Sequence, residues 1–291
     1  MKKVRKAVIP AAGLGTRVLP VTKSIPKEML PIVDTPSIQF IVEEAVNSGI
    51  EEILIITNRG KTPLEDYFDH AVELEQRLTA AGKTRELESV TRLCNLCNIQ
   101  YVRQKETRGL GHAVGCARSF VGDEPFVVLY GDDVILGDKP VAKQLIDAYE
   151  KTGKCVCGIK AVPEADIVRY SSLKVEPLGG RLYNVTDMIE KPRTPAEAYS
   201  LYSILGRVLL TPDIFDILER TAPGAGGEIQ LTDAMNEIAT TTGMTGVDFE
   251  GTRYDMGNKL SILQASIEVG LRHPEVGSGL RSYLKELAAT L

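Results

Sequence analysis

Arg17 and Lys27 follow closely on a stretch with two glycines, Ala11-Ala12-Gly13-Leu14-Gly15-Thr16. Glycine lets a ligand approach the backbone closely, and a run of backbone N–H groups makes a nest for anions. Arginine adds a planar fork of donors matched to phosphate oxygens, and Lys27 adds a second cation. The apolar run just before, Ala7-Val8-Ile9, reads as a buried strand that breaks into this loop. The loop lacks the Gly-Lys-Ser/Thr ending of a Walker A motif. It also fails the dinucleotide fingerprint, because Val18 stands at the third glycine position. Pro20, Pro26 and Pro31 keep the next segment from being one long helix. A phosphate loop of another design remains, with Ala11, Ala12, Gly13 and Gly15 as backbone donors. Gly-x-Gly alone would fit any tight turn with incidental surface charge. Gly-x-Gly-Thr-Arg followed by Pro26-Lys27-Glu28-Met29-Leu30-Pro31 is far more restrictive.

Further along, Gly131-Asp132-Asp133 follows the apolar run Phe126-Val127-Val128-Leu129-Tyr130. Ligands of open α/β sheets bind beyond the carboxyl ends of strands, and a carboxylate there needs a metal or another cation. Magnesium takes one or two carboxylates plus substrate phosphates, which fits Asp132. Asp133 is expected only to cap the next helix. Glu190-Lys191 stops a strand before Pro192, where a carboxylate can accept from sugar hydroxyls and an ammonium can meet a phosphate; a surface ion pair would look the same. Gly109 and Gly111, at a strand-to-helix junction, leave room for a flat group, and the amide of nearby Gln104 can both donate to and accept from a base edge. His112 reads as a helix-start residue, since no Ser or Cys motif accompanies it. Gly206, inside the apolar strand Tyr202–Leu210, predicts a close approach of the backbone to a ligand.

The elements that carry these residues alternate. Ser37 to Gly49 has helical spacing, and Glu52–Thr57 is a continuous apolar run, as in a strand buried on both faces. Residues 63–93 predict a long helical insert whose face runs from Leu64 through Phe68 to Leu78, broken at Gly82 before a second helix. A strand Ile99–Arg103 and a helix reaching Phe120 come next. Cys155–Val162, Leu173–Pro177 and Leu182–Ile189 read as strands, the last two joined by a turn at Leu178-Gly179-Gly180-Arg181. Helices are expected after Thr211-Pro212, after Gly226-Gly227-Glu228, over Lys259–Leu271 and over Gly279–Leu287.

The chain has 291 residues, a formal net charge of -5, 43% hydrophobic and 25% charged residues, ordinary for a globular protein. The acidic balance and the lack of a basic stripe argue against nucleic acid as partner, and no apolar run reaches membrane-spanning length. With no apolar segment after the basic first residues, a cytoplasmic location is expected. Five cysteines, Cys94, Cys97, Cys116, Cys155 and Cys157, are expected to be reduced. Cys94-Asn-Leu-Cys97 could be half a zinc site or a redox pair, but packing is the preferred reading; Cys155 and Cys157 are expected to face opposite ways.

The motifs together resemble the sugar-1-phosphate nucleotidylyltransferases, and Lys23-Ser24-Ile25-Pro26-Lys27-Glu28-Met29-Leu30-Pro31 and the 63–93 insert look most like the uridylyl-transferring branch. The resemblance implies an α/β fold: a Rossmann-like three-layer sandwich with a mixed, mainly parallel central sheet (the nucleotide-diphospho-sugar transferase fold) and a small β-rich sugar-binding lobe. A single domain of residues 1–291 is expected, with about 1–150 binding nucleotide, about 151–257 binding sugar phosphate, and helices from about 258 to 291. UTP and glucose 1-phosphate are the implied substrates, Mg²⁺ the implied cofactor, and a homodimer or homotetramer the implied assembly. Residue by residue, Arg17, Lys27 and Lys191 inherit the catalytic contacts to phosphate. Gln104, Gly109 and Gly111 inherit the base, Glu190, Lys191 and Gly206 the sugar, and Asp132 and Asp255 the metal. A thymidylyltransferase would use the same chemistry, but the long insert argues against it. A glycosyltransferase would need no triphosphate loop. A non-catalytic regulatory subunit would be expected to have lost Arg17, Lys27 or Asp132, and all three are present.

Overall fold

The structure is a computed structural model that describes residues 2–290. The chain opens with β1 (Lys6–Pro10), three short 3-10 turns, and a small hairpin of β2 (Pro31–Ile32) and β3 (Thr35–Pro36). Then come α1 (Ser37–Asn47), β4 (Glu52–Thr57), α2 (Thr62–Asp66), α3 (Val72–Ala80) and α4 (Thr84–Cys94). The middle carries β5 (Asn98–Arg103), α5 (Leu110–Gly115), α6 (Arg118–Val121), β6 (Phe126–Leu129), β7 (Asp133–Leu136), α7 (Val141–Thr152) and β8 (Cys155–Ala161). The β-rich stretch is β9 (Ser171–Gly179), β10 (Leu182–Glu190) and β11 (Tyr202–Leu210). Last are α8 (Ile214–Arg220), α9 (Leu231–Thr241), β12 (Met244–Asp248), β13 (Thr252–Asp255), α10 (Lys259–Gly270) and α11 (Gly277–Ala288).

Nine strands form one sheet in the order β5-β4-β1-β6-β11-β8-β12-β10-β9. The pairs β5–β4, β4–β1, β1–β6 and β8–β12 are parallel, and only β11 and β10 run against the rest. The sheet is therefore mixed and mainly parallel, as expected. Its apolar runs are explained by burial on both faces. Ala7 and Ile9 enter one core and Val8 the other; Val127 and Leu129 enter the first, Phe126 and Val128 the second. Alternating strand geometry sends successive side chains to opposite faces. Helices α1 and α7 cover the first face, and α5, α8 and α9 the second. The parallel order brings the carboxyl ends of β5, β4, β1 and β6 to one edge, and every loop that leaves that edge carries a site residue.

Four expectations need correction. The helical face from Leu64 to Leu78 is broken between α2 and α3: Leu64 and Phe68 are buried, whereas Leu74 is exposed. The helix expected to reach Phe120 is split into α5 and α6. Cys155 and Cys157 share one face and one core, as residues two apart on a strand must. Asp133 caps no helix; it starts β7, opposite Asp255 on β13.

Candidate active site

The loop after β1 is held from behind. Asn58 Nδ2 donates to the Ala12 carbonyl, and Lys61 Nζ donates to the Ala11 carbonyl. Lys61 also binds both carboxylate oxygens of Glu28, at 2.8 and 2.7 Å, and both side chains are buried. Burial lowers the Lys61 pKa and raises that of Glu28, and their mutual attraction opposes both shifts. In a trans peptide the C=O of one residue points away from the N–H of the next. Fixing the Ala11 and Ala12 carbonyls therefore turns the Ala12 and Gly13 N–H groups to the opposite side. Among the described residues, the backbone N–H groups of Ala12, Gly13, Leu14 and Gly15 meet no protein acceptor. That is the anion nest the sequence predicts, with one correction: Ala11, expected among the donors, gives its N–H to the Ile56 carbonyl at 2.8 Å and is not available to an anion. Asn58 and Lys61 were not foreseen; the available signal was their place directly after β4, at the edge where site loops gather.

In front of the nest lies a cluster of opposite charges. Lys27 Nζ pairs with Asp132 Oδ2, and Arg17 Nη2 is 3.6 Å from the same oxygen. Arg17 Nη1 donates to Asp255 Oδ2 at 3.1 Å, while the Gly257 N–H donates to Asp255 Oδ1 at 2.7 Å. The Met256 N–H donates to the Asp132 carbonyl at 2.8 Å, so the strands that carry the two carboxylates are stitched together. Burial lowers the Lys27 ammonium, but Asp132 and then Glu28 outweigh it and hold the pKa above the ordinary lysine value. Burial raises the Asp132 carboxyl, and Lys27 and Arg17 more than offset this, so it sits below the usual range. Asp133 goes the other way: burial lifts it above the usual value, and Arg253, 2.6 Å away, offsets only part. The four residues Arg17, Lys27, Asp132 and Asp255 are thus brought together. Two carboxylates joined through one guanidinium form a hard, all-oxygen donor pair, which fits a small divalent cation.

Beside this cluster opens a cavity of ≈540 Å³, with Tyr130, Asp132, Glu190, Lys191, Arg253 and Asp255 in its wall. Glu190, at the end of β10, accepts from Thr232 Oγ1 at 2.7 Å. Lys191 has φ 50°, although it is not glycine, and its N–H donates to the Tyr170 carbonyl at 3.0 Å. A side chain in that backbone region costs about 1–2 kcal/mol, and such strain gathers at functional sites. Its Nζ lies 3.7 Å from Glu190 Oε1 and is half exposed, free to meet a ligand. Arg169 and Arg253 also line the cavity; the sequence pattern assigns neither a role, although Arg253 stands only two residues before Asp255.

Gln104, Gly109, Gly111 and Gly206 lie outside that wall. The Gln104 amide donates to the Gly109 carbonyl at 3.2 Å and to His112 Nδ1 at 2.8 Å. His112 is the third residue of α5; burial, and then Arg108, lower its pKa, so it is neutral at pH 7. The open space expected above the two glycines is filled by the segment before α9. The Gly111 N–H donates to the Ile229 carbonyl at 2.9 Å, and the Ile229 N–H donates to the Arg108 carbonyl at 2.8 Å. A methyl group on Gly109 would stand 2.7 Å from the Ile229 carbonyl oxygen. At Gly206 the group that approaches the backbone so closely is a protein side chain rather than a ligand: a Cβ there would lie 2.6 Å from Asp133 Oδ2.

A family model for nucleotidyl transferases matches residues 6–270. The chain is 50% identical over 287 residues to a UTP–glucose-1-phosphate uridylyltransferase of Staphylococcus epidermidis, covering 99% of each. A solved UDP-glucose pyrophosphorylase complexed with UDP-glucose is 40% identical, with a TM-score of 0.85 over 93% of this chain and 100% of the other. A UTP-bound UGPase from Acinetobacter baumannii is 36% identical, with a TM-score of 0.90 over 98% and 99% of the two chains. A match that runs through the loop, the carboxylates and the cavity wall alike means that this chain belongs to the nucleotidyl transferase family, among the UTP–glucose-1-phosphate uridylyltransferases.

Proposed function

We propose that the protein transfers UMP from UTP to glucose 1-phosphate, giving UDP-glucose and pyrophosphate. An oxygen of the sugar phosphate attacks the α-phosphorus, the new P–O bond forms in line, and the α–β bridge breaks with its electron pair leaving on pyrophosphate. No protein nucleophile is required. The obstacle is electrostatic, because two polyanions must meet, and preorganised cations lower that barrier. The observation that carries this reading is the cluster of Arg17 and Lys27 on Asp132 and Asp255 beside a cavity bearing Glu190 and Lys191.

In this reading the N–H groups of Ala12, Gly13 and Gly15 face the nucleotide, while Ala11, whose N–H donates to the Ile56 carbonyl, only anchors the start of the loop. Arg17 holds the β- and γ-phosphates, Lys27 the reacting phosphates, and Lys191 the sugar phosphate, with Glu190 on the hydroxyls. Gln104, Gly109 and Gly111 shape the base side; with their open faces covered, they act through the backbone of residues 108–111. Gly206 acts on the sugar side by seating Asp133. Family members generally use a divalent metal, and we assign Mg²⁺ to Asp132 and Asp255, where it would neutralise phosphate charge. Arg17 and Lys27, now occupied by those carboxylates, would be released toward the phosphates. A cytoplasmic homodimer or homotetramer of one domain is the form we expect to act.

The test is pyrophosphate release across a matrix of UTP or dTTP with glucose or galactose 1-phosphate, with and without Mg²⁺. UTP with glucose 1-phosphate and Mg²⁺ is expected to be the fastest combination. Lys191→Ala should lower turnover at least ~10²-fold, the size of one preorganised electrostatic contact. Normal turnover in that variant would remove Lys191 from the chemistry, and no UMP transfer by the wild type would remove the reading as a whole.

A further inference from the structure

Away from the nucleotide site, three side chains converge at the foot of the α3–α4 hairpin. His70 lies just before α3, Glu75 in its first turn, and Cys94 is the last residue of α4. One ligand atom from each lies within 4.8 Å of the others, the sole such group of histidine, cysteine and acidic side chains among the described residues. His70 Nδ1 stands 3.1 and 3.3 Å from the two carboxylate oxygens of Glu75. Cys94 Sγ stands 3.3 Å from the Asp69 carbonyl oxygen, which brings a fourth donor to the same place.

We propose that His70, Glu75 and Cys94 bind a divalent ion of the zinc class, with the Asp69 carbonyl oxygen beside the fourth position. Imidazole nitrogen, thiolate sulfur and carboxylate oxygen are zinc donors, whereas magnesium and calcium take oxygen. Zinc–ligand bonds of about 2.0–2.3 Å place tetrahedral ligand atoms roughly 3.3–3.7 Å apart. The His70–Glu75 pair is already near that spacing, and Cys94, within 4.8 Å of both, needs to close by at most about 1.5 Å. Binding requires the thiolate, so the Cys94 proton passes to solvent as the metal enters. Bound there, the ion ties the start of α3 to the end of α4 and pins both feet of a hairpin whose helices bury no residue. The site is separate from the Asp132–Asp255 pair, and UMP transfer should not depend on it.

Metal-stripped full-length protein is titrated with Co²⁺, whose thiolate complexes show a sulfur-to-cobalt charge-transfer band, and with Zn²⁺ by equilibrium dialysis. The wild type should bind one equivalent with the band present. Cys94→Ser should lose the band and weaken zinc at least ~100-fold, more than typical losses from supporting residues alone. His70→Ala should weaken zinc likewise, while Cys97→Ser should keep both the band and the affinity. Hydrogen exchange over residues 70–94 should slow on zinc addition in the wild type and not in Cys94→Ser. Circular dichroism checks that each variant is folded. No band in the wild type, a band that survives Cys94→Ser, or loss of the band in Cys97→Ser would each overturn the assignment.

Discussion

Gly206 has φ 75°, and the place a side chain would fill is taken by the carboxylate of Asp133. Two penalties follow for any other residue: about 1–2 kcal/mol for the backbone conformation, and an overpacking cost of about 1–3 kcal/mol. Asp133 cannot easily give way, since it is buried and Arg253 holds it at 2.6 Å. The displacement would pass to its neighbour Asp132, which meets Lys27 and Arg17. Gly206→Ala is therefore expected to lower unfolding free energy by about 2–5 kcal/mol, the sum of those two costs, and to weaken divalent-ion activation of UMP transfer. Denaturant unfolding together with the metal dependence of pyrophosphate release would measure both. A variant with wild-type stability and metal dependence would mean that Asp133 tolerates a methyl group and that the glycine has no positioning role. The sequence flagged the close approach at Gly206 correctly but not its partner, because local pattern shows where a backbone must be bare and not what crosses it.

Strand β11 reaches the same turn from below through Arg207, which is fully buried. Its guanidinium binds Glu44 of α1 at 2.9 and 2.6 Å, and donates to the Asp133 carbonyl at 2.9 Å and the Gly206 carbonyl at 2.8 Å. The Ala142 N–H of α7 donates to Glu44 as well, at 3.0 Å. One buried ion pair thus joins two helices, a strand and the turn that presents Asp132. Removing one partner leaves the other charge buried and should cost about 3–5 kcal/mol, whereas replacing both with apolar groups can be near neutral. Arg207→Met is expected to unfold more readily than Arg207→Met with Glu44→Met. The double variant should recover most of the stability but little of the turnover, because the Asp133 and Gly206 carbonyls still lack their donor. Equal recovery of turnover would show that the pair serves folding only. In the sequence Arg207 is a lone charge inside an apolar strand, a signal that it must have a partner, yet Glu44 lies far away in the chain. The long parallel strands were readable because burial on both faces leaves an unbroken apolar run. β7, β12 and β13 were not: polar residues or glycine interrupt each of them, and their places are set by neighbours rather than by pattern.

Across the whole chain, the two cores on either side of the nine-stranded sheet account for the body, and the α3–α4 hairpin stands apart from both. Neither of its helices buries a residue. Its ties to the rest include the ion pairs Arg92–Glu43 at 2.8 Å and Arg85–Glu275 at 3.2 Å, both with exposed arginines. Exposed pairs of this kind contribute about 0–1 kcal/mol each. The feet of the hairpin lie side by side, since Cys94 Sγ reaches the Asp69 carbonyl at 3.3 Å. Residues 72–93 can therefore be replaced by a short glycine-serine linker without pulling Phe68 or Leu96 out of their places against the core. Loss of both pairs amounts to at most about 2 kcal/mol, and for a chain of this size 1 kcal/mol moves the melting temperature by about 2–4 °C. The shortened protein should melt cooperatively within about 8 °C of the full chain and retain UMP transfer to glucose 1-phosphate, while losing zinc at His70, Glu75 and Cys94. Calorimetry, pyrophosphate release and dialysis on the same sample separate these outcomes. A shortened chain that melts broadly would show that the hairpin supports the body after all; one that melts sharply yet no longer turns over would show that it acts on the site from a distance.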